Sequence, residues 1–176
     1  GITVNIGANV TRIPAYLFYP YSNSSYSPNI TEVNFAPNSQ CTEIGDRAFY
    51  GCTKLTSITI PDSVTSIGRE AFYNCRNLTE INFNATNMSD LSERNYVFAY
   101  AGQDGAGITV NIGANVTRIP AYLFNPSSSS YSPNITEVNF APNSQCAEIG
   151  NGAFYSCTNL TSITIPDSVT SIGGSA

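Results

Sequence analysis

The stretch L-T-S-I-T-I-P-D-S-V-T-S-I-G-R-E-A-F-Y-N-C, residues 55–75, holds one complete unit of a repeat that runs through the whole chain. Ile58 and Ile60 are two residues apart, so they share one face of a short strand while Thr59 points the other way. Pro61 has no backbone N–H to give to a ladder, so the strand is expected to stop before it. Val64 to Ile67 reads as a second short extended piece, ended by Gly68. Ala71, Phe72 and Cys75 have the spacing of roughly one helical turn, too short for an independent helix. One unit is therefore one coil: strand, corner, second strand, turn and return.

The same frame recurs outward from this stretch. Its first strand residue falls at Val4, Val33, Ile58, Ile81, Val110, Val138 and Ile163, with gaps of 29, 25, 23, 29, 28 and 25 residues. The first four gaps together span 106 residues, and this is also a repeat. GITVNIGANVTRIPAYLF at 1–18 returns unchanged at 107–124, and IPDSVTSIG at 60–68 returns at 165–173. The chain thus holds six units and a truncated seventh, arranged as one four-unit long repeat (1–106) and an incomplete second (107–176). Self-similarity at this period predicts a solenoid, in which each coil buries the apolar side of its neighbour. The expected architecture is a single β-rich solenoid domain over 1–176, a right-handed coil of short strands with single helical or 3-10 turns. Departures from the frame fall at corners. FAPNSQCTEIG in unit two is two residues longer than IPDSVTSIG, and tyrosine-bearing loops follow Phe18 (19–29) and Phe124 (125–134). Unit four (84–107) is the most irregular, keeping Val97 and Phe98 of the pattern. Insertions in solenoids map to loops on one face.

The pattern L-x-x-I-x-I-P-x-x-V-x-x-I-G-x-x-A-F-x-x-C resembles the BspA-like class of leucine-rich repeats. It stands here as Leu55, Ile58, Ile60, Pro61, Val64, Ile67, Gly68, Ala71, Phe72 and Cys75. Weaker matches run over Val33–Cys52 and Val138–Cys157, so the resemblance covers nearly the whole chain. It implies a leucine-rich-repeat solenoid from a surface or secreted protein of the kind found in oral and gut bacteria and some protists. Some relatives are adhesins for host matrix proteins or other cells. That activity belongs to no short motif, so the resemblance carries over no binding residue.

Composition narrows the function classes. Only 11% of residues are charged, with one lysine, Lys54, and a net charge of −5, which argues against a nucleic-acid partner. No apolar run approaches the length of a membrane span, so no membrane insertion is expected. The chain starts inside the repeat pattern and stops at Ala176, the counterpart of Ala71; it is expected to be a piece of a longer protein. A cut solenoid exposes the apolar side of its end coils, so end-to-end self-association is expected. The end near Ile163, Ile165, Val169 and Ile172 has no cap in the sequence.

Five cysteines obey the repeat. Cys52, Cys75 and Cys157 close A-F-x-x-C, and Cys41 and Cys146 take the Val64 position. Neighbouring coils stand ~4.8 Å apart, so Cys52 and Cys75 come within disulfide reach. A column of buried free thiols is the competing reading, and the odd count and the valine at one equivalent site favour it.

The search for chemistry returns little. There is no histidine, which removes Ser-His-Asp and Cys-His catalysis and His-ligated zinc. No phosphate-binding loop occurs, and no cofactor is implied. Paired carboxylates remain as a route to carbohydrate chemistry. Glu32 and Glu80 lie two coils apart, roughly 10 Å, just beyond the ~6.5–9.5 Å window for inversion. Asp90, Glu93 and Asp104 of unit four, with QDGAG, lack the spacing of a calcium loop. Asn-X-Ser/Thr occurs nine times, from Asn9 to Asn159. These are glycan acceptors only in a eukaryotic secretory setting.

Two surfaces are candidates for binding. The first is the outward strand column Asn5, Asn34, Thr59, Asn82, Asn111, Asn139 and Thr164, flanked by Glu32, Glu80 and Glu137. Its amides and carboxylates suit a glycan or an extended protein surface. The second is the pair of loops bearing Tyr19, Tyr21 and Tyr26, and Tyr131. They are expected on the same side, about 20 Å apart. Tyrosine with Ser and Asn is the mix of adaptable binding loops, although one or two tyrosines folded back as staples is the competing reading. The function these features suggest is a non-catalytic extracellular interaction module at the cell surface. It would adhere to a host or neighbouring-cell surface protein or glycan. A structural spacer with no ligand is the chief alternative. A carbohydrate-active enzyme is a third, for which no close pair of carboxylates is visible.

Overall fold

The computed structural model of the protein describes residues 1–20, 27–126 and 128–176. Tyr21 and Tyr26 lie outside these. The described residues form the expected solenoid. The first strand of each coil is β1 (Ile2–Ile6), β3 (Ile30–Phe35), β5 (Ser57–Ile60), β7 (Glu80–Phe83), β8 (Ile108–Ile112) and β10 (Ile135–Phe140). The second strand is two residues long: β2 (Arg12–Ile13), β4 (Glu43–Ile44), β6 (Ser66–Ile67), β9 (Arg118–Ile119), β11 (Glu148–Ile149) and β12 (Ser171–Ile172). All pairings are parallel, and like pairs with like: Ile58 with Ile81, Thr59 with Asn82, Ile81 with Val110, Asn82 with Asn111. β5 ends at Ile60, as Pro61 requires.

Each face is interrupted once. The first-strand face divides into β1-β3 and β5-β7-β8-β10, because β3 and β5 touch without sharing a ladder. The second-strand face divides at coil four, between β6 and β9. There residues 84–107 have no second strand, and single bonds take its place: Ser89 N–H to Thr65 O at 3.0 Å on one side, Leu91 N–H to Ala121 O at 3.1 Å on the other. Coil four retains more core than Val97 and Phe98, since Ala85, Met88 and Ala101 are buried as well. The seventh coil adds β12, but residues 161–165 carry no strand.

The expected single helical turn at Ala71–Cys75 is instead a chain of linked turns. Glu70 (φ 56°) and Asn74 (φ 60°) are left-handed, which interrupts the i→i−4 bonding of a helix. The freed amides point sideways into the next coil: Phe72 N–H bonds Val97 O at 2.9 Å and Asn74 N–H bonds Ala99 O at 2.8 Å. The left-handed residue recurs in each coil as Tyr16, Arg47, Glu70, Tyr96, Tyr122, Gly152 and Ser175. The strain of a non-glycine residue there, about 1–2 kcal/mol each, is tolerated because it turns amides toward the neighbouring coil. Among the described residues the one 3-10 turn, Ser129–Tyr131, lies in the second tyrosine loop.

The core is a bundle of columns. Phe18, Phe49, Phe72, Phe98, Phe124 and Phe154 stack with centroids 5.4, 5.2, 5.2, 5.4 and 5.3 Å apart. All five cysteines are buried and free. Cys75 Sγ donates to Phe49 O at 3.3 Å. Burial pushes the Cys52 and Cys157 thiols up to about 12 and Cys75 well above its ordinary value.

Two predictions follow from these columns. Phe72 is fully buried between two parallel rings, so Phe72→Ala is expected to cost ~3–5 kcal/mol in chemical denaturation, and Phe154→Ala, half-buried at the column's end, distinctly less. The thiols are predicted to resist alkylation at neutral pH in the native protein and to react together on unfolding. Their folded ionisation lies above that of the unfolded thiol, about 8.5. Stability is therefore complete below that pH and is lost as pH rises toward the folded values, a decline that denaturation midpoints across alkaline pH would register.

Candidate functional site

The outward residues of the first strands form one column because identical strand positions pair from coil to coil. Asn34 Nδ2 donates to Asn5 Oδ1 at 3.3 Å, Asn111 Nδ2 to Asn82 Oδ1 at 2.9 Å and Asn139 Nδ2 to Asn111 Oδ1 at 3.5 Å. Asn82 reaches Thr59 Oγ1 at 3.5 Å. The break between β3 and β5 separates Asn5 and Asn34 from the other members. A primary amide is donor and acceptor at once, so a column of asparagines holds itself in order and keeps further hydrogen-bonding capacity outward.

The carboxylates are interleaved with hydroxyls. Thr3 Oγ1 donates to Glu32 at 3.1 Å, Thr109 Oγ1 to Glu137 at 3.3 Å, and Glu80 accepts from Asn111 Nδ2 at 3.1 Å. Ladder register sets Ser57 beside Glu80 and Thr109 between Glu80 and Glu137. Glu32 and Glu80 belong to different sheets, on β3 and β7.

Where the first strands end, the corner recedes into three consecutive depressions along the axis. The central one, about 440 Å³, is lined by Thr59, Asn82, Asn84, Asn111, Gly113 and Asn139 with the Phe140 corner. It shares Thr59, Asn84 and Gly113 with a depression of about 300 Å³ toward Asn38 and Asp62. It shares Asn139 and Phe140 with one of about 510 Å³ that reaches Thr164 and Asp167. Together they make a groove floored by amides and hydroxyls. A Cβ at Gly113 would meet the side-chain oxygen of Asn84, which would have to turn aside.

The turn face carries a second constellation, of which only the ends lie in the tyrosine-bearing loops. Tyr19 and Tyr131 are joined by Tyr50, Tyr73 and Tyr100 into a continuous column, with ring centroids 5.1, 4.9, 5.3 and 5.2 Å apart. Tyr19 is half-buried in this column, and Tyr131, though 43% exposed, rests on Tyr100. The two loops therefore contribute packed rings at the described positions. The signal was present as A-F-Y at 48–50 and 71–73, where tyrosine follows the core phenylalanine. Burial pushes the Tyr73 phenol up to about 12. Over the column's first end lies Arg47, its guanidinium carbon 5.9 Å from the centroids of Tyr16, Tyr19 and Tyr50. Arg47 Nε donates to buried Glu70 at 2.6 Å, which raises the guanidinium's pKa further.

In coil four, Asp90 pairs with Arg118 at 2.7 Å and Asp104 with Arg76 at 2.8 Å. Among the described residues no group of three or more Cys, Asp or Glu side chains could hold a metal ion. Asn77 and Asn134 commit their side-chain nitrogens to Thr53 O at 2.6 Å and Gly102 O at 3.0 Å.

Comparison with known proteins agrees with this geometry. The profile of the BspA-type leucine-rich repeat region matches residues 21–130 and 127–176, in six copies. A leucine-rich cell-surface protein of Faecalibacterium prausnitzii is similar at 27% identity and a TM-score of 0.57, covering 98% of this chain and 44% of its own. A leucine-rich repeat protein of Eubacterium ventriosum is similar in fold at 24% identity and a TM-score of 0.66, covering 99% of this chain and 42% of its own. The chain thus spans less than half the length of these relatives. No curated protein matches it. Repeat frame, parallel coil register and family profile agree: the chain belongs to the BspA-type leucine-rich repeat family.

Proposed function

We propose that the chain is a non-catalytic interaction module of a bacterial cell-surface protein, and that it holds a glycan or an extended, polar protein surface along the strand-face groove. The carrying observation is the ordered rank of Thr59, Asn82, Asn111 and Asn139 lining a continuous depression. A preordered amide rank forfeits little side-chain entropy on binding. The interleaved Glu80 and Glu137 add acceptors suited to sugar hydroxyls or backbone amides. Recurrence of Asn5, Glu32 and Asn34 on the neighbouring sheet offers a second copy of the patch, and linked copies add avidity where a partner has matching spacing. An extracellular location accords with the surface protein of Faecalibacterium prausnitzii.

The stiffness of the continuous phenylalanine column favours a second reading, a spacer that holds other domains away from the cell. The end faces support self-association as well. Ile2, Val10 and Leu17 are 51%, 38% and 45% exposed, whereas the identical Ile108, Val116 and Leu123 are fully buried under coil four. At the opposite end Ile172 is 58% exposed.

Binding to immobilised host matrix proteins and to a glycan array tests the module. Changing Asn82, Asn111 and Asn139 together to alanine is expected to weaken a saturable interaction about tenfold or more, with the circular dichroism spectrum retained. Changing Tyr21 and Tyr26 to serine should leave it intact. Binding lost only in the tyrosine variant would move the site to the loops, and no binding to any target would favour the spacer. Sedimentation of the intact chain is expected to show concentration-dependent association that Ile172→Lys reduces.

A further inference from the structure

The two halves of the chain carry one site twice and differ at it in a concerted way. Residues 28–71 and 133–176 align without a gap and differ at seven positions. Five of the seven exchange a charged residue for an uncharged one: Asp46 for Asn151, Arg47 for Gly152, Lys54 for Asn159, Arg69 for Gly174 and Glu70 for Ser175. All of these except Lys54 meet in one place. In the first half Glu70 takes Arg47 at 2.6 Å and Arg69 at 3.0 Å, and Asp46 accepts from the Arg69 amide at 2.7 Å. Arg47 thereby seats its guanidinium among Tyr16, Tyr19 and Tyr50. The first half fills the cleft between its tyrosines with its own arginine.

In the second half the walls remain and the plug is missing. Tyr122 and Tyr155 stand where Tyr16 and Tyr50 do, with Asn125 in place of Tyr19. Gly152 keeps the backbone of Arg47, φ 56° against 53°, and Asn151 keeps the cap of Asp46 through its bond from the Gly174 amide at 2.8 Å. The side chains at the Arg47, Arg69 and Glu70 positions are lost, and the Tyr122 ring leans toward the vacated place, its edge 2.8 Å from where a Cβ on Gly152 would stand. What remains is a cleft of about 470 Å³ whose walls include Tyr122, Tyr155, Asn125, Asn151 and Glu93. Glu93 comes from the irregular coil four and is the only charged one among the described residues of the lining. Two aromatic rings beside an acidic residue are groups that receive a guanidinium, whose flat, weakly hydrated cation packs on rings and bonds to carboxylates. Of the two amides, Asn125 Nδ2 is committed to Glu93 O at 3.3 Å and Asn151 Oδ1 to the Gly174 amide at 2.8 Å.

We propose that this cleft binds the arginine side chain of a partner protein, in the seat that Arg47 occupies in the first half. It lies on the turn face, apart from the strand-face groove, and does not rest on the reading of that groove. Glu93 is the acidic residue this cleft offers, from coil four on the side opposite to that from which Glu70 reaches Arg47.

N-acetyl-arginine amide and the matching citrulline amide, titrated into the intact chain, test this through the amide NMR signals of Gly152 and Gly174. The arginine compound is expected to give saturable shifts with a Kd on the order of 1 mM. The citrulline compound, similar in shape but uncharged, should bind about tenfold more weakly. Gly152→Arg, at a φ that Arg47 already adopts, refills the cleft with the Tyr122 ring swung aside and should abolish the response; Glu93→Gln should weaken it severalfold. A response that persists in Gly152→Arg, an equal response to citrulline, or no response to arginine would each overturn the proposal. Tighter binding of free arginine than of the capped amide would assign the cleft to the small molecule and overturn a protein partner.

Discussion

Coil-to-coil registration governs this molecule. Each strand pairs in parallel with the same strand of the next coil, and the turn amides, directed sideways by a left-handed residue in every coil, bond to that neighbour as well. A coil alone has no partners for these amides, and leaving them unpaired in an apolar interior costs several kcal/mol apiece. Registration therefore has to be exact to the residue along most of the length. It follows that any side chain at a given position meets the same position of the next coil at a separation near 5 Å.

That separation dictates which residues succeed. Flat rings stack well at it, so phenylalanine fills one interior column and tyrosine one exterior column. Small thiols and branched aliphatics fill the others. Identical charges at that spacing repel, and the sequence avoids them. Glu80 sits between Ser57 and Thr109, and Arg118 pairs with Glu148 next to it in register. Asparagine escapes the restriction because its amide bonds to a copy of itself. A solvent-facing rank of asparagines is thus both a solution to the stacking problem and an organised hydrogen-bonding surface.

Near-identity of the long repeats makes the few differences informative. Loss of both arginines alone would leave the buried Glu70 carboxylate without a counter-charge, and loss of Glu70 alone would leave two neighbouring guanidinium groups without theirs. The second half removes the set together, with Arg69, and with it the plug of the cleft. Charge balance around the buried Glu70 carboxylate explains why these positions change as a group.

How much of this was readable beforehand depends on the range of the interaction. Periodicity alone determined the coil, the strand at Ile58–Ile60 and its stop at Pro61, the free-thiol columns as one of two alternatives, and the membership of the asparagine rank, because each depends on positions a fixed distance apart in the chain. Three features belonged to tertiary structure. Left-handed turns replaced the expected helical turn because the neighbouring coil, absent from any local window, accepts the freed amides. Tyr50, Tyr73 and Tyr100 joined Tyr19 to Tyr131 because their rings meet only once the coils are stacked. Residues 84–107 remained a coil without the motif, since Met88 and Ala85 fill by packing what the pattern would have filled by spacing. Sequence spacing specifies what repeats; the contacts between one coil and the next decide how the exceptions are accommodated, because only there do residues distant in sequence exclude water from one another.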